Sequence, residues 1–222
     1  MNDSTRFSAD KYSAAQTAEG FRRLFEQSMV RDDFTKGGGD HVLNDGEVRH
    51  FSGDYKDAAV LFGVIDRPDG ASVLFTKRTE TLSSHKGQVA LPGGRIDEGD
   101  ASAESAALRE TREEVGIEAE KIHILGSLGD YLSGSGYRIR PIVGIIDPGF
   151  QLTINHHEVA EVFEVPLAFL MNAKSYEIGS GFWNDIERFF YRMPDSERCE
   201  GHLIWGVTAG IVRMIHDRIY GV

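Results

Sequence analysis

The sequence predicts an α+β fold of sandwich type, and three observations carry that reading. Short apolar runs separated by turn residues fill the middle of the chain. One helix with a dense set of acidic residues interrupts them, and a second apolar-striped helix closes the chain.

Residues 8–30 read as an amphipathic helix, because Phe21, Leu24, Phe25 and Met29 recur at helical spacing among charged residues. Its polar face carries both signs, which favours packing on the domain or on a second subunit over a membrane surface. The following polar stretch contains Gly37-Gly38-Gly39, read as a flexible connection. Residues 1–54 are therefore expected to be an N-terminal helix and connection, and residues 55–222 the main domain. Runs 58–65 and 72–78 flank the turn Arg67-Pro68-Asp69-Gly70 and predict a β-hairpin. Residues 101–115 are expected to be helical. Residues 122–132, 137–146 and 159–165 read as strands, with 187–193 a weaker strand. Ile204, Val207, Ile211, Met214 and Ile215 predict a closing helix over 203–220.

The composition of the 222 residues, 41% hydrophobic and 27% charged, is that of an ordinary globular chain. A formal net charge of −11 argues against a general nucleic-acid binder, which needs a basic face. It leaves a phosphate-bearing small molecule open, since a bound cation inverts the field of an acidic site. Cys199 is the one cysteine, which excludes an internal disulfide and fits a reducing cytoplasm. No His-bearing motif adjoins it, so it reads as an incidental thiol. No run approaches a membrane span, and the first residues lack the apolar run of a signal peptide. The ending Tyr220-Gly221-Val222 is not of the peroxisomal Ser-Lys-Leu type. The expectation is a cytoplasmic protein with no membrane partner.

The helix before Gly116 carries the chemistry. At roughly 100° per residue, Ala107, Leu108, Thr111 and Val115 share the core stripe. Glu110, Glu113 and Glu114 are expected together on another face, with Arg109 placed to pair with Glu113. Most charge runs are solvated faces. Here Glu110 and Glu114 repel by roughly 0.2–0.5 kcal/mol at their spacing. Gly116 as the C-terminal cap also puts these carboxylates at the negative end of the helix dipole. Few lysines are interspersed. A cluster that opposes these local rules is explained by a bound cation, and hard oxygen donors suit Mg²⁺ or Mn²⁺ rather than zinc. Upstream, Leu91-Pro92-Gly93-Gly94 supplies a glycine turn that allows close backbone approach to a phosphate or metal. His156-His157-Glu158 does not continue into the His-Glu-x-x-His zinc pattern.

These residues resemble the Nudix box, G-x5-E-x7-R-E-U-x-E-E-x-G-U. Gly93-Gly94, Arg109-Glu110, Glu113-Glu114, Gly116 and Ile117 match it. Asp100 takes the first acidic position, eight residues rather than seven separate it from Arg109, and Thr111 replaces the bulky apolar residue. The coenzyme A pyrophosphatase subgroup shares that longer spacing. The chain is similar to this subgroup further upstream, in Leu74-Phe75-Thr76-Lys77-Arg78-Thr79 and in Gly87-Gln88-Val89-Ala90-Leu91-Pro92-Gly93-Gly94. Ser83 stands where the subgroup's second arginine falls. Ile204-Trp205-Gly206-Val207-Thr208-Ala209 also looks like the subgroup's C-terminal segment.

The resemblance runs over residues 58–209. It implies a Nudix-type α/β/α sandwich with a mixed β-sheet, a catalytic helix after a Gly-Gly turn and an extra N-terminal helix. It implies Mg²⁺- or Mn²⁺-dependent diphosphate hydrolysis, with Glu110 and Glu114 as leading metal ligands. Glu113 and the Gly93 carbonyl are further candidates, and Arg109 orients a glutamate. Glu158 and Glu161 are candidates for the proton acceptor such enzymes carry outside the box. Arg78, Lys86, Gly94 and Arg95 are candidates to bind substrate phosphates. The leading substrate is coenzyme A or acyl-coenzyme A, split to 3′,5′-ADP and (acyl-)4′-phosphopantetheine. The alternatives are ADP-ribose, NADH or another nucleoside diphosphate derivative, and a non-catalytic ligand sensor, against which the three box glutamates weigh. The N-terminal helix makes a homodimer an expectation. Ser83→Arg is expected to improve coenzyme A use, read as a rise in kcat/KM; unchanged kinetics remove that position from substrate recognition.

Overall fold

Alternation along the strands decides the layers. On the strand Lys56–Ile65 (β2), Ala59, Leu61 and Ile65 point to one side and Ala58, Phe62 and Val64 to the other, and both sets are buried. The computed structural model describes residues 16–31, 35–44, 54–80, 86–183, 185–194 and 197–221. Its helices and strands form an α/β/α sandwich around a mixed sheet. Ser83 and residues 8–15 of the N-terminal helix expectation lie outside the described residues.

Helix α1 (Ala18–Ser28) is capped by Thr17, whose side chain accepts the Gly20 N–H. Strand β1 (Gly38–Gly39) follows. After β2 come β3 (Ser72–Arg78), β4 (Val89–Ala90) and β5 (Gly93–Arg95), then helix α2 (Ala103–Val115). Strands β6 (Ile122–Ser127), β7 (Tyr131–Leu132), β8 (Tyr137–Ile146) and β9 (Val159–Pro166) complete the main sheet. A short turn of helix, α3 (Leu167–Leu170), leads to a small antiparallel sheet of β10 (Glu177–Trp183), β11 (Ile186–Met193) and β12 (Ile204–Trp205). Helix α4 (Gly206–Tyr220) closes the chain. No helix among the described residues is long and apolar enough to cross a membrane.

The main sheet runs β1-β7-β8-β2-β3-β4, with β5 added to β2, β6 to β8 and β9 to β3. Its spine is the parallel pair β2 and β8, in register from Lys56 opposite Tyr137 to Ile65 opposite Ile146. The expected hairpin of β2 and β3 forms, yet only Val64–Val73 and Ile65–Ser72 pair. Beyond those two rungs β2 turns to β5 and β3 to β4 and β9. This divergence opens the sheet at the end away from the turn.

α2 covers one face, over a core that includes Leu61, Leu74, Ala107, Val115, Ile142 and Ile146. α1 and α4 cover the other, where Phe21, Phe25, Phe62, Phe75, Val143 and Ile215 are fully buried. Phe21 lies 6.3 Å from Phe25 and 5.8 Å from Phe62 between ring centroids. Met29 falls past the end of α1 and is exposed. The Ser28 hydroxyl donates to the Leu24 carbonyl at 2.7 Å and lies 3.1 Å from the Ile219 carbonyl of α4.

Three expectations need correction. Gly38 and Gly39 do not form a flexible connection but pair in parallel with Tyr131 and Leu132. A Cβ on Gly38 would sit 2.8 Å from the Met214 sulfur, so the glycines are there for close packing. The run 122–132 is two strands, because the ladder to β8 stops at Ser127 and resumes at Tyr131; a register slip at Gly126, φ 153°, falls within the first. The closing helix begins at Gly206, since Ile204 and Trp205 pair instead with Met193 and Arg192.

Phe21→Ala is expected to cost about 3–5 kcal/mol of unfolding free energy, as for an aromatic side chain removed from a core. A urea midpoint that stays at the wild-type value would show α1 to be dispensable.

Candidate active site

α2 starts at Ser102, whose hydroxyl accepts the Ser105 N–H at 3.1 Å while the Ser105 hydroxyl accepts the Ser102 N–H at 2.9 Å. It ends at Gly116 in the left-handed conformation, φ 75°. Ala106, Ala107, Thr111 and Val115 face the sheet, and the Thr111 hydroxyl is satisfied by the Ala107 carbonyl at 2.7 Å. Leu108 is only half-buried.

The three glutamates do not share a face. Glu114 is 3% exposed and Glu110 half-buried, whereas Glu113 is 53% exposed. Helical geometry explains this: Glu110 and Glu114 lie about 40° apart around the axis, and Glu113 about 100° from Glu114. The first two turn toward the glycine loop and the third toward solvent.

Arg109 fastens the loop before the helix to the helix itself. Its Nε and Nη2 donate to the two Asp100 oxygens at 3.0 and 2.9 Å, and Nη2 also reaches the Arg95 carbonyl at 3.0 Å. Its Nη1 donates to Glu110 at 3.0 Å and Glu113 at 3.1 Å. Asp100 thus reaches Arg109 despite the extra residue between them. The Gly93 N–H donates to Glu114 Oε2 at 3.2 Å, and Arg78 Nη1 lies 3.9 Å from Glu114 Oε1. A Cβ on Gly94 would sit 2.5 Å from the Glu110 carboxyl carbon. Glycine at 94 is what admits Glu110.

A cleft of about 730 Å³ opens over these groups. Glu110, Glu114, Gly93 and Gly94 line it together with Arg78, Arg95 and Glu158. Glu158 is delivered by the turn before β9: its N–H donates to the Asn155 carbonyl at 3.0 Å, and its own carbonyl accepts the Thr79 N–H at 3.0 Å. Three candidates fall elsewhere. Glu161 lies opposite Lys77 in the β3–β9 register, is exposed, and faces His202 at 3.2 Å. Lys86 is exposed in the turn before β4 and does not line the cleft. Glu113 points away to its ion pair with Arg109.

A family model for the NUDIX domain matches residues 55–194. The chain belongs to the Nudix family. Among its relatives, a protein named uncharacterized Nudix hydrolase NudL from Photorhabdus laumondii is 39% identical over 178 residues, 77% of this chain and 89% of the relative. The protein of that name from Escherichia coli K12 is 41% identical over 165 residues, covering 72% and 81%. Solved structures that resemble it include a MutT/nudix family protein from Enterococcus faecalis, with 17% identity, 76% and 63% coverage and a TM-score of 0.47. Another is a Nudix hydrolase from M. smegmatis, with 24% identity, 51% and 72% coverage and a TM-score of 0.43.

This Nudix pyrophosphohydrolase holds its acids in unlike environments. Burial pushes the Glu114 carboxyl up to about 8, only partly offset by the Gly93 N–H and Arg78. Burial also raises Glu110, against the pull of Arg109, and the Glu113 and Glu158 charges add to the rise. Asp100 is lowered instead, first by its bonds to Arg109 and then by the Asp97 N–H. Nudix hydrolases generally use divalent metal ions, and the donor set fits one. Half-buried Glu110 and buried Glu114 both line the cleft, and a cation relieves their desolvation and their mutual repulsion. Among the described residues no three acidic, histidine or cysteine side chains gather tightly enough to enclose an ion.

The far end of the cleft was not visible in the sequence. Trp183 and Arg188 line it from β10 and β11, and Asp40 from the turn after β1. The alternation of Gly179 and Gly181 with larger residues was the available signal.

The Glu114 shift sets a pH dependence. In the folded chain the neutral acid is favoured, while the unfolded chain ionises near 4.5, so the contribution to stability falls as pH rises from about 4.5 to about 8. In chelator-treated protein the melting temperature of wild type, less that of Glu114→Gln, is expected to decline across that window. A constant difference would contradict the buried acid.

Proposed function

We propose that this Nudix hydrolase cleaves the diphosphate linkage of coenzyme A or acyl-coenzyme A, releasing 3′,5′-ADP and (acyl-)4′-phosphopantetheine. One observation carries the reading. The segments that resemble the coenzyme A pyrophosphatases, 74–79, 87–94 and 204–209, each send residues into the same cleft as Glu110 and Glu114, among them Arg78, Gln88, Leu91, Trp205 and Thr208. They also touch, the Thr208 hydroxyl donating to the Val89 carbonyl at 2.9 Å. Residues far apart in sequence thus build one wall beside the acids.

Hydrolysis of the anhydride requires a water oxygen to bond to one phosphorus while the P–O bond to the bridging oxygen breaks. A base must take the water proton. Glu158 is the proton acceptor in this reading, because it lines the same cleft as Glu110 and Glu114 and no ion pair holds it among the described residues. Arg78 neutralises diphosphate oxygens from the end of β3, and Arg95 does so from the rim. Arg109 positions Glu110 and does not contact substrate. Glu110 and Glu114 would hold Mg²⁺ or Mn²⁺, with the Gly93 carbonyl as a further ligand. The ion, when bound, supplies Lewis-acid charge neutralisation and lowers the pKa of water.

A panel of coenzyme A, acyl-coenzyme A, NADH, ADP-ribose and diadenosine polyphosphates, with Mg²⁺ or Mn²⁺ and mass spectrometry of products, tests the assignment. Coenzyme A and its acyl esters are expected to give the highest kcat/KM. Cleavage of ADP-ribose with coenzyme A untouched overturns the reading. Glu114→Gln is expected to lower kcat by about 100-fold or more, beyond the 10–100-fold typical of groups that only support a ligand, with an unchanged circular dichroism spectrum. An active Glu114→Gln enzyme would remove that residue from the site.

A further inference from the structure

The cleft continues past the acids to an end that hydrolysis does not use. There Trp183, Phe190 and Trp205 stand in a row, with ring centroids 6.0 Å apart at 82° and 5.3 Å apart at 59°. Each ring comes from a different strand of the small sheet. Gly181 makes room for them: a Cβ there would sit 2.9 Å from the Trp183 ring. Trp183 remains 43% exposed, so the row keeps ring surface for a ligand.

Arg188 lies opposite Gly181 in the β10–β11 register and lines the same end. Its Nε is buried without a hydrogen-bond partner, and among the described residues no carboxylate pairs with its guanidinium. Asp40 shares this wall, but its oxygens already accept the Tyr131 hydroxyl at 2.6 Å and the Gly134 N–H at 2.7 Å. A guanidinium nitrogen stripped of water and left unpaired is costly. An incoming anion removes that cost. Flat rings beside a planar, two-pronged cation match a nucleobase joined to a phosphate.

We infer that this end of the cleft binds the 3′-phosphorylated adenosine half of the substrate. Arg188 takes the phosphate that does not react, and the base lies along the aromatic row, against the exposed surface of Trp183. The identity of the ligand rests on the coenzyme A reading; the aromatic row and the unpaired Arg188 nitrogen do not.

Trp183 and Trp205 are the two tryptophans of the chain, so tryptophan fluorescence, excited beyond the tyrosine absorption band, reports on this end alone. Titration of the full chain in chelator is expected to show saturable quenching by 3′,5′-ADP, with binding about tenfold or more tighter than for 5′-AMP. Arg188→Gln is expected to abolish that discrimination and Arg188→Lys to keep part of it, which separates a lost phosphate contact from a damaged fold. Equal affinity for the two nucleotides in wild type, or discrimination that survives Arg188→Gln, overturns the inference. Quenching by acyl-phosphopantetheine but not by 3′,5′-ADP also overturns it and gives this end to the acyl arm. The two readings fail separately. If coenzyme A is not hydrolysed while Arg188 still selects 3′,5′-ADP, the substrate assignment falls and this site stands. If coenzyme A is hydrolysed and the selection is independent of Arg188, this inference alone falls.

Discussion

Arg109 reaches back to both oxygens of Asp100 and to the Arg95 carbonyl, so the loop that follows Gly94 is tied to the helix it precedes. The rest of the site hangs from that tie. With the loop held, Gly94 lies against the Glu110 carboxylate and the Gly93 N–H meets Glu114. Burial works against both acids, and the positive charges nearby offset only part of it. A residual demand for cation is therefore built into the packing. The helix supplies the acids, but the guanidinium fixes what they face.

The cleft itself is a product of strand divergence. β2 and β3 share two rungs and then separate, β2 to β5 and β3 to β4 and β9. The acids of α2 occupy the mouth of this split, and the small sheet with the start of α4 extends it on the far side. The alternation that fills both cores thus also decides where the sheet can open, because neither core spares a strand in its middle.

Local rules made much of this legible. The Gly116 cap, the 3.6-residue stripe of α2 and the box spacing single out Glu110 and Glu114, both of which line the cleft. They failed where a third dimension was needed. Glu113 lies at one edge of a roughly 100° arc that also holds Glu110 and Glu114, and the helical wheel alone does not say which part of that arc meets the glycine loop. Gly37-Gly38-Gly39 looked like slack, since composition does not distinguish a free glycine from one pressed against Met214. Lys86 and Glu161 had the right chemistry at plausible positions, but a turn and a strand register carried them outward. The strand pattern is absent over β10 and weak over β11, so Trp183 and Arg188 carry no local mark of a site. Their pairing across Gly181 exists only in the sheet.

The packing of α1 against α4 has a consequence for how the chain is made. The hydroxyl of Ser28 meets a carbonyl of Ile219, 191 positions away, and Phe21 and Ile215 belong to one core. Loop closure over such a span is entropically slow, and contacts of this range delay folding. During synthesis the face that α1 and α4 share stays only part-covered until α4 is made. The face carrying α2 has its helix much earlier. The helix that bears the acids therefore has its own core early, while the opposite layer and the cleft wall that α4 supplies come last.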